Sequence, residues 1–351
     1  MHMLKKKLKQ GLLSLLVSCK GHKLFKPFFS GIGHILMFHR VCPKSGKPRI
    51  FYNTQLEVTP GYLENAVVFF KERGYEFISL DRMYRLFLEN TFKKKFVVVT
   101  FDDGYSNTLT HALPVLKKHD VPFTVYVSTN FPDGKAVLWW DLLEDLLLER
   151  DIIEIEIGSE HHRFNCASMK EKEDTFETIR SIIIGFSERD FLPGVEKIFK
   201  GLELDIYSKA VELALSWEEV IELARQPMVT IGAHTVNHYA LKELPEERAV
   251  YEVTESKKKL EAHIGKEVEH FAYPYGRLGH MGAKDLDIIK KYGFKTAVTT
   301  IPGNIFPGHR DHLVYLPRVH MREEIDQFQL ELFTSGLKQF QLHKFQRVET
   351  L

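Results

Sequence analysis

The feature that most constrains this chain of 351 residues is a rhythm of short β-type runs separated by helix-type segments. The runs are Ile35–Phe38, Glu76–Ser79, Phe96–Phe101, Phe123–Val127, Val229–Gly232, Phe271–Tyr273, Thr296–Thr299 and Leu313–Val319. Between them stand amphipathic stretches such as Pro60–Arg73, Asp81–Glu89, Thr108–His119, Trp217–Arg225, Glu246–His263 and Ala283–Tyr292. A helix that carries the chain back after each strand makes the next strand run parallel to it, so the pattern predicts an α/β fold. "VVVTF" at Val97–Phe101 is apolar without alternation, as a strand covered on both faces must be. The rhythm breaks from Phe131 to about Ser216, where "LWWDLLEDLL" is followed by the alternating "IIEIEIGSEHHRFN", which turns at Gly158–Ser159 like a hairpin. This reads as an α+β insertion, residues 131–216, within one connection of a domain spanning 35–323. Residues 324–351 read as a terminal helix followed by a polar tail.

Charge adds little at the level of the whole chain. The net charge of +1 gives no pull toward nucleic acid. Residues 1–30 differ: they carry Lys5, Lys6, Lys7, Lys9, Lys20, Lys23 and Lys26 and no acidic residue, so 1–34 reads as a basic arm on a mildly acidic body. Leu4, Leu8, Leu12, Leu15 and Leu16 fall at helical spacing there, which suits peripheral contact with an anionic membrane surface through residues 1–30. That places the chain in the cytoplasm or at the inner membrane. The alternative is a lipid-anchored export signal ending at "LVSC", Leu16–Cys19, although its apolar run is short. Cys19, Cys42 and Cys166 are too few and too scattered for a disulfide framework or a cysteine zinc site.

Five motifs carry chemistry-bearing residues, and each follows a predicted strand. "TFDDGY" sets Asp102 and Asp103 at a strand end, where adjacent carboxylates are costly unless something cationic compensates. The bland reading is a turn that caps a helix near Asn107. "HTVNH" holds His234 and His238 four apart, a pair that binds zinc if a third ligand joins it. "FAYPYG" brings Tyr275 into a turn whose backbone N–H can face a substrate oxygen. "YLPRVH" puts Arg318 and His320 on one face of a strand by period two, and "LMFHRV" ends the first strand with His39. In α/β folds the C-terminal strand ends build the active site, so the shared position counts for more than any single motif.

Taken together, "TFDDGY", "HTVNH" and "FAYPYG", in that order, resemble the polysaccharide deacetylase family, the NodB-homology domain of carbohydrate esterase family 4. The resemblance spans roughly Ile35 to Met321, with further touches in "LMFHRV", "WWD" and "SWEEV". It implies a distorted (β/α) barrel of about seven parallel strands. It also implies a hydrolase that uses a divalent metal, Zn2+ by expectation, to remove acetyl groups from an acetylated glycan. Carried over by motif, Asp102 is the expected base, Asp103, His234 and His238 the expected metal ligands, and Tyr275 an expected oxyanion donor. His39 and His320 are alternative proton donors. Many members carry an arginine where this chain has Ala272, and Tyr273 replaces a common proline; Arg318 is the expected substitute for that charge. Two other readings are a catalytically silent carbohydrate-binding barrel and a metal hydrolase of a non-sugar amide or ester. Trp139, Trp140 and Phe131 read either as a sugar-stacking wall or as core.

Overall fold

The structure is a computed structural model and describes residues 19, 21–157, 160–200, 205–348 and 350–351. Seven parallel strands close into a barrel: β1 (Gly33–Phe38), β2 (Phe96–Phe101), β3 (Phe123–Val127), β4 (Val229–Ala233), β5 (His270–Ala272), β6 (Thr296–Pro302) and β7 (Leu316–His320). Closure comes from β1, which pairs with β7 through Leu36 and Val319 and with β2 from Gly33 and Phe96 to Phe38 and Phe101. The run expected at Glu76–Ser79 shrinks to Glu76–Phe77, because it and β3 share one edge of β2. The short strand takes Phe96 and Val97, and β3 takes Val99 to Phe101.

The period-two alternation of the strands sorts two cores. Outward side chains such as Leu36, Phe38, Val97, Val99, Phe101 and Val125 are buried under the surrounding helices. Inward ones, among them Ile35, Val98, Tyr126, Ala272, Val298 and Leu316, fill the barrel. The N-terminal mouth is plugged by Leu80, Met83 and Phe87 of the helix Leu80–Glu89. In β4, a Cβ on Gly232 would lie 2.4 Å from the Tyr126 ring, so glycine there makes room for the largest interior aromatic. Filled below and plugged at that mouth, the barrel leaves its C-terminal end for chemistry.

The insertion sits between β3 and β4. It consists of the helix Trp139–Glu149, the antiparallel hairpin Ile152–Ile157 and Glu160–Asn165, and helices Met169–Ile184, Glu188–Lys200 and Ser208–Leu213. It has its own core, with Leu143, Phe176, Ile179, Val195 and Phe199 buried. Half-buried ion pairs tie it to the segment after β1. Arg40 Nη1 reaches Asp141 at 2.9 Å, Arg49 donates to both oxygens of Glu144, and both arginines pair with Glu57. Trp139 and Phe131 are almost wholly covered and Trp140 is buried, so these rings are first of all core.

The chain ends depart from expectation. β1 starts at Gly33, so the expected boundary after residue 34 falls inside a strand. Residues 21–29 pack against two C-terminal helices, Gln327–Thr334 and Leu337–His343, where one was expected. The break is Gly336, at φ 81°, where a Cβ would lie 2.2 Å from the Phe29 carbonyl carbon. Phe25 and Phe29 each lie 5.2 Å from the Phe340 ring, and Asn304 Nδ2 donates to the carbonyls of Phe29 and Phe333. Most of the expected basic arm, residues 1–18, lies outside the described residues. Among those described, no helix is long and apolar enough to cross a membrane.

Candidate active site

Asp102 leaves β2 as its first residue past the strand and is almost fully buried. Arg318, on the inward face of β7 and wholly buried, clamps it with two bonds, Nη1 to Oδ1 at 2.7 Å and Nη2 to Oδ2 at 2.6 Å. The guanidinium is itself held: Nε donates to the Thr299 carbonyl at 2.7 Å and Nη1 to Thr100 Oγ1 at 3.1 Å. Burial alone would raise Asp102, but the paired arginine outweighs it and holds the carboxyl below its ordinary range. Ala272, the small residue in the barrel interior where many family members carry arginine, is also fully buried.

Asp103 points elsewhere. Its backbone turns into the left-handed region at φ 76°, with Gly104 following at φ 99°, so two adjacent carboxylates face different partners. Asp103 Oδ1 lies 3.3 Å from both His234 Nε2 and His238 Nε2. Burial would raise this carboxyl too, yet the bonds from the two imidazoles hold it well below the usual range. His234 Nδ1 lies 2.8 Å from the Ala272 carbonyl, which can only accept, so that nitrogen carries the proton and Nε2 is left to face Asp103. The potential ligand atoms of Asp103, His234 and His238 all lie within 4.8 Å of one another. One carboxylate oxygen and two imidazole nitrogens, one imidazole fixed by a carbonyl behind it, form a donor set that fits a divalent cation such as zinc.

The two histidines meet without a helix. The chain from His234 to His238 is a loop with Thr235 at φ 66° and His238 at φ 59°. Thr235 Oγ1 accepts from the His238 N–H at 3.0 Å, which closes the loop on itself. Residues after β3 hold it from one side, where Thr129 and Asn130 N–H donate to the carbonyls of Thr235 and Val236. From the other side comes Glu252, a residue sequence reasoning missed. Glu252 Oε2 accepts from Val236 N at 2.9 Å and Asn237 N at 2.8 Å, and Oε1 accepts from Asn237 Nδ2 at 2.6 Å. The signal was present: Glu252 shares the buried stripe of its helix with Ala249, Val253, Ser256 and Leu260, and an acid in that stripe needs a partner.

Tyr275 sits in the turn after β5 at φ 59°, 4.9 Å ring to ring from His238. Thr300 Oγ1 donates to its carbonyl at 2.6 Å. His39 and His320, at the ends of β1 and β7, are 5.4 Å apart between ring centroids. Each has a buried ring nitrogen with no hydrogen-bond partner among the described residues, Nδ1 in His39 and Nε2 in His320. Burial lowers both imidazoles, His320 to about 2. All eight sequence-predicted residues thus gather at one end of the barrel, and Asp102 and Asp103 turn to Arg318 and the two imidazoles rather than to the helix that begins near Asn107.

A closed seven-stranded parallel barrel with an acid–imidazole cluster at its C-terminal strand ends defines a barrel hydrolase scaffold. The family model for polysaccharide deacetylase matches residues 89–188 and 199–297, and the chain belongs to that family. YxkH of Bacillus subtilis (strain 168), whose name places it among the polysaccharide deacetylases, is 22% identical over 270 residues, 77% of this chain and 64% of YxkH. The chain therefore spans just under two thirds of that relative's length. Among solved structures, the Streptococcus pyogenes deacetylase PplD in complex with acetate has a TM-score of 0.56 at 20% identity, covering 86% of this chain and 97% of that one. IcaB from Ammonifex degensii has a TM-score of 0.54 at 18% identity, with 87% and 97% covered. These likenesses concern the fold.

Proposed function

We propose that this chain is a metal-dependent deacetylase that removes N-linked acetyl groups from a polysaccharide or glycan precursor. The observation that carries the reading is the division of labour between adjacent carboxylates: Asp103 faces two imidazoles, and Asp102 faces a buried guanidinium. Asp103, His234 and His238 would hold a divalent cation, zinc by expectation. Bound there, such an ion supplies Lewis-acid polarisation of the acetyl carbonyl and makes water a better nucleophile. The remaining work belongs to the chain. Asp102, kept ionised by Arg318, takes the proton of the attacking water. The Tyr275 N–H donates to the oxyanion that develops on the carbonyl. Either His39 or His320 is the imidazole that delivers a proton to the departing nitrogen, so that the products are acetate and a free amine.

The substrate is an acetylated glycan by family membership, and the structure similar to this chain, that of the deacetylase PplD, is a complex with acetate. The test is acetate release from a panel of N- and O-acetylated glycans, with and without chelator. Release that a chelator abolishes and added zinc restores is expected; release that ignores the chelator overturns the metal reading. Alanine at His39 and at His320, each with metal content measured, identifies which imidazole delivers the proton. Normal turnover in both variants removes both from the mechanism.

A further inference from the structure

A cavity of about 300 Å³ opens beside the candidate metal ligands, with His238 and Tyr275 in its lining. The two sides of the cavity differ in chemistry. The barrel side offers rings and polar groups, including Asn237 and His280. The insertion side offers Ile183, Ile184, Phe186, Phe191 and Leu192 as an apolar stretch, with Lys135 and Tyr207 as the polar groups at its margin. Ile184 is 37% exposed, and Phe186, Phe191 and Leu192 are partly exposed, so this wall keeps apolar surface open to water next to the site. Sugar rings can stack on its aromatic rings, but they do not account for its aliphatic side chains. Sugar hydroxyls need donors and acceptors, and a wall of isoleucine, leucine and phenylalanine leaves such groups unpaired at a cost. A hydrocarbon matches that wall and has no polar groups to satisfy.

We infer that this cavity receives an aliphatic chain carried by the N-acylated sugar, so that the insertion makes the enzyme select an amphiphilic substrate. The inference rests on the deacetylase reading above. The continuity through His238 and Tyr275 puts the chain within one sugar's reach of the reacting carbonyl. At about 300 Å³ the cavity is many times larger than a single-water site and can seat an alkyl chain. The chain can enter from two positions on the sugar, as an alkyl group on the anomeric oxygen or as an acyl group longer than acetyl on the nitrogen.

The experiment uses the full chain loaded with zinc and three substrates: the methyl and octyl glycosides of N-acetylglucosamine, and the methyl glycoside carrying N-octanoyl in place of N-acetyl. Burial of each methylene strengthens binding about three- to fourfold until the cavity is full. The expected result is a KM for one octyl-bearing substrate at least tenfold below that of the methyl glycoside, with kcat changed much less. The arm that shows the gain identifies the point of attachment. Leu192→Asp and Ile184→Asp, both at partly exposed positions, should abolish the gain. Equilibrium binding of the octyl glycoside, read by tryptophan fluorescence, tests occupancy apart from turnover. Acetate released equally well from methyl and octyl glycosides, with no gain for N-octanoyl, overturns this inference and leaves the deacetylase reading standing. Fluorescence-detected binding of the octyl glycoside without release from any substrate overturns the deacetylase reading instead.

Discussion

At the scale of single residues, the site is distinguished by how much unfavourable backbone it tolerates. Asp103, Thr235, His238 and Tyr275 all hold left-handed φ angles between 59° and 76°. Such conformations cost of order 1–3 kcal/mol each and persist only where the surroundings over-determine them. Here the surroundings do so: Thr235 is pinned by Thr129, His238 by Thr235, and Tyr275 by Thr300. The gain is direction, since the turn at Asp103 aims two adjacent acids at different partners. Asn at either position should separate the two roles. Asp102→Asn should keep bound zinc and lose about 10²–10⁴-fold in kcat, the worth of a general base. Asp103→Asn should lose zinc as well as activity. Metal content measured beside acetate release decides, and equal metal loss in both variants would sink the division of roles. Arg318→Met tests the clamp. Without the guanidinium, burial acts on Asp102 unopposed, its pKa rises, and the base is protonated at higher pH. The acidic limb of kcat/KM should therefore move toward neutrality, and unfolding free energy should fall by about 3–5 kcal/mol because a buried charge has lost its partner. A limb that stays in place would show that Arg318 does not set the charge state of Asp102.

At the scale of elements, the strands, the barrel and the insertion were legible because period and apolar runs report burial directly. The motif ends were legible because each followed such a run. Four things were not. The pairing of Arg318 with Asp102 links β7 to β2, which are not neighbours in the ring, so no local spacing carries it, and only the family resemblance, through the charge missing at Ala272, pointed to Arg318. The loop His234–His238 brings its imidazoles together through left-handed turns rather than helical spacing, which sequence does not announce without glycine. Residues 21–29 read as part of a free arm because their partners lie 275 or more positions away, at Asn304 and Phe340. Glu252 was hidden because a helix pattern usually counts its acids as solvated. Its three bonds to the histidine loop predict a positioning role. Glu252→Ala leaves two backbone N–H groups of that loop without a buried acceptor, and zinc affinity should fall about 10–100-fold, as for partners that orient metal ligands. Glu252→Gln, which keeps an acceptor oxygen, should recover most of it. Competition with a zinc chelator measures both. An Ala variant that melts earlier yet binds zinc normally would reduce Glu252 to a structural role.

At the scale of the whole molecule, chemistry occupies one end of the barrel and stability is invested in the other, and the two ends respond differently to acid. At the site, Asp102 and Asp103 are held below the ordinary carboxylate range, so they stay charged through mild acid. Near the N-terminal end of β1, His34 is fully buried between Phe70 and Tyr75, with rings 5.8 and 5.5 Å away. Burial, reinforced by the nearby Lys95, pushes this imidazole down to about 3. The unfolded chain would protonate it near 6.5. Between those values the unfolded state binds a proton that the folded state refuses, so stability rises with pH across that window and is lost as pH falls through it. The contribution is fully present above 6.5 and declines by about 1.4 kcal/mol for each pH unit below. Asp141, pushed up to about 6 by burial, contributes a slope of the opposite sign, so the total slope of the native protein mixes the two. His34→Phe separates them, because a ring is kept among aromatic neighbours, and the 3.4 Å contact of His34 Nε2 with the Tyr75 hydroxyl is lost at both pH values and cancels in the difference. Urea unfolding at pH 7.5 and 5.0 should show the native protein losing up to about 2 kcal/mol more than the variant. An identical loss in both would mean that His34 takes up its proton in the folded state as readily as in the unfolded chain.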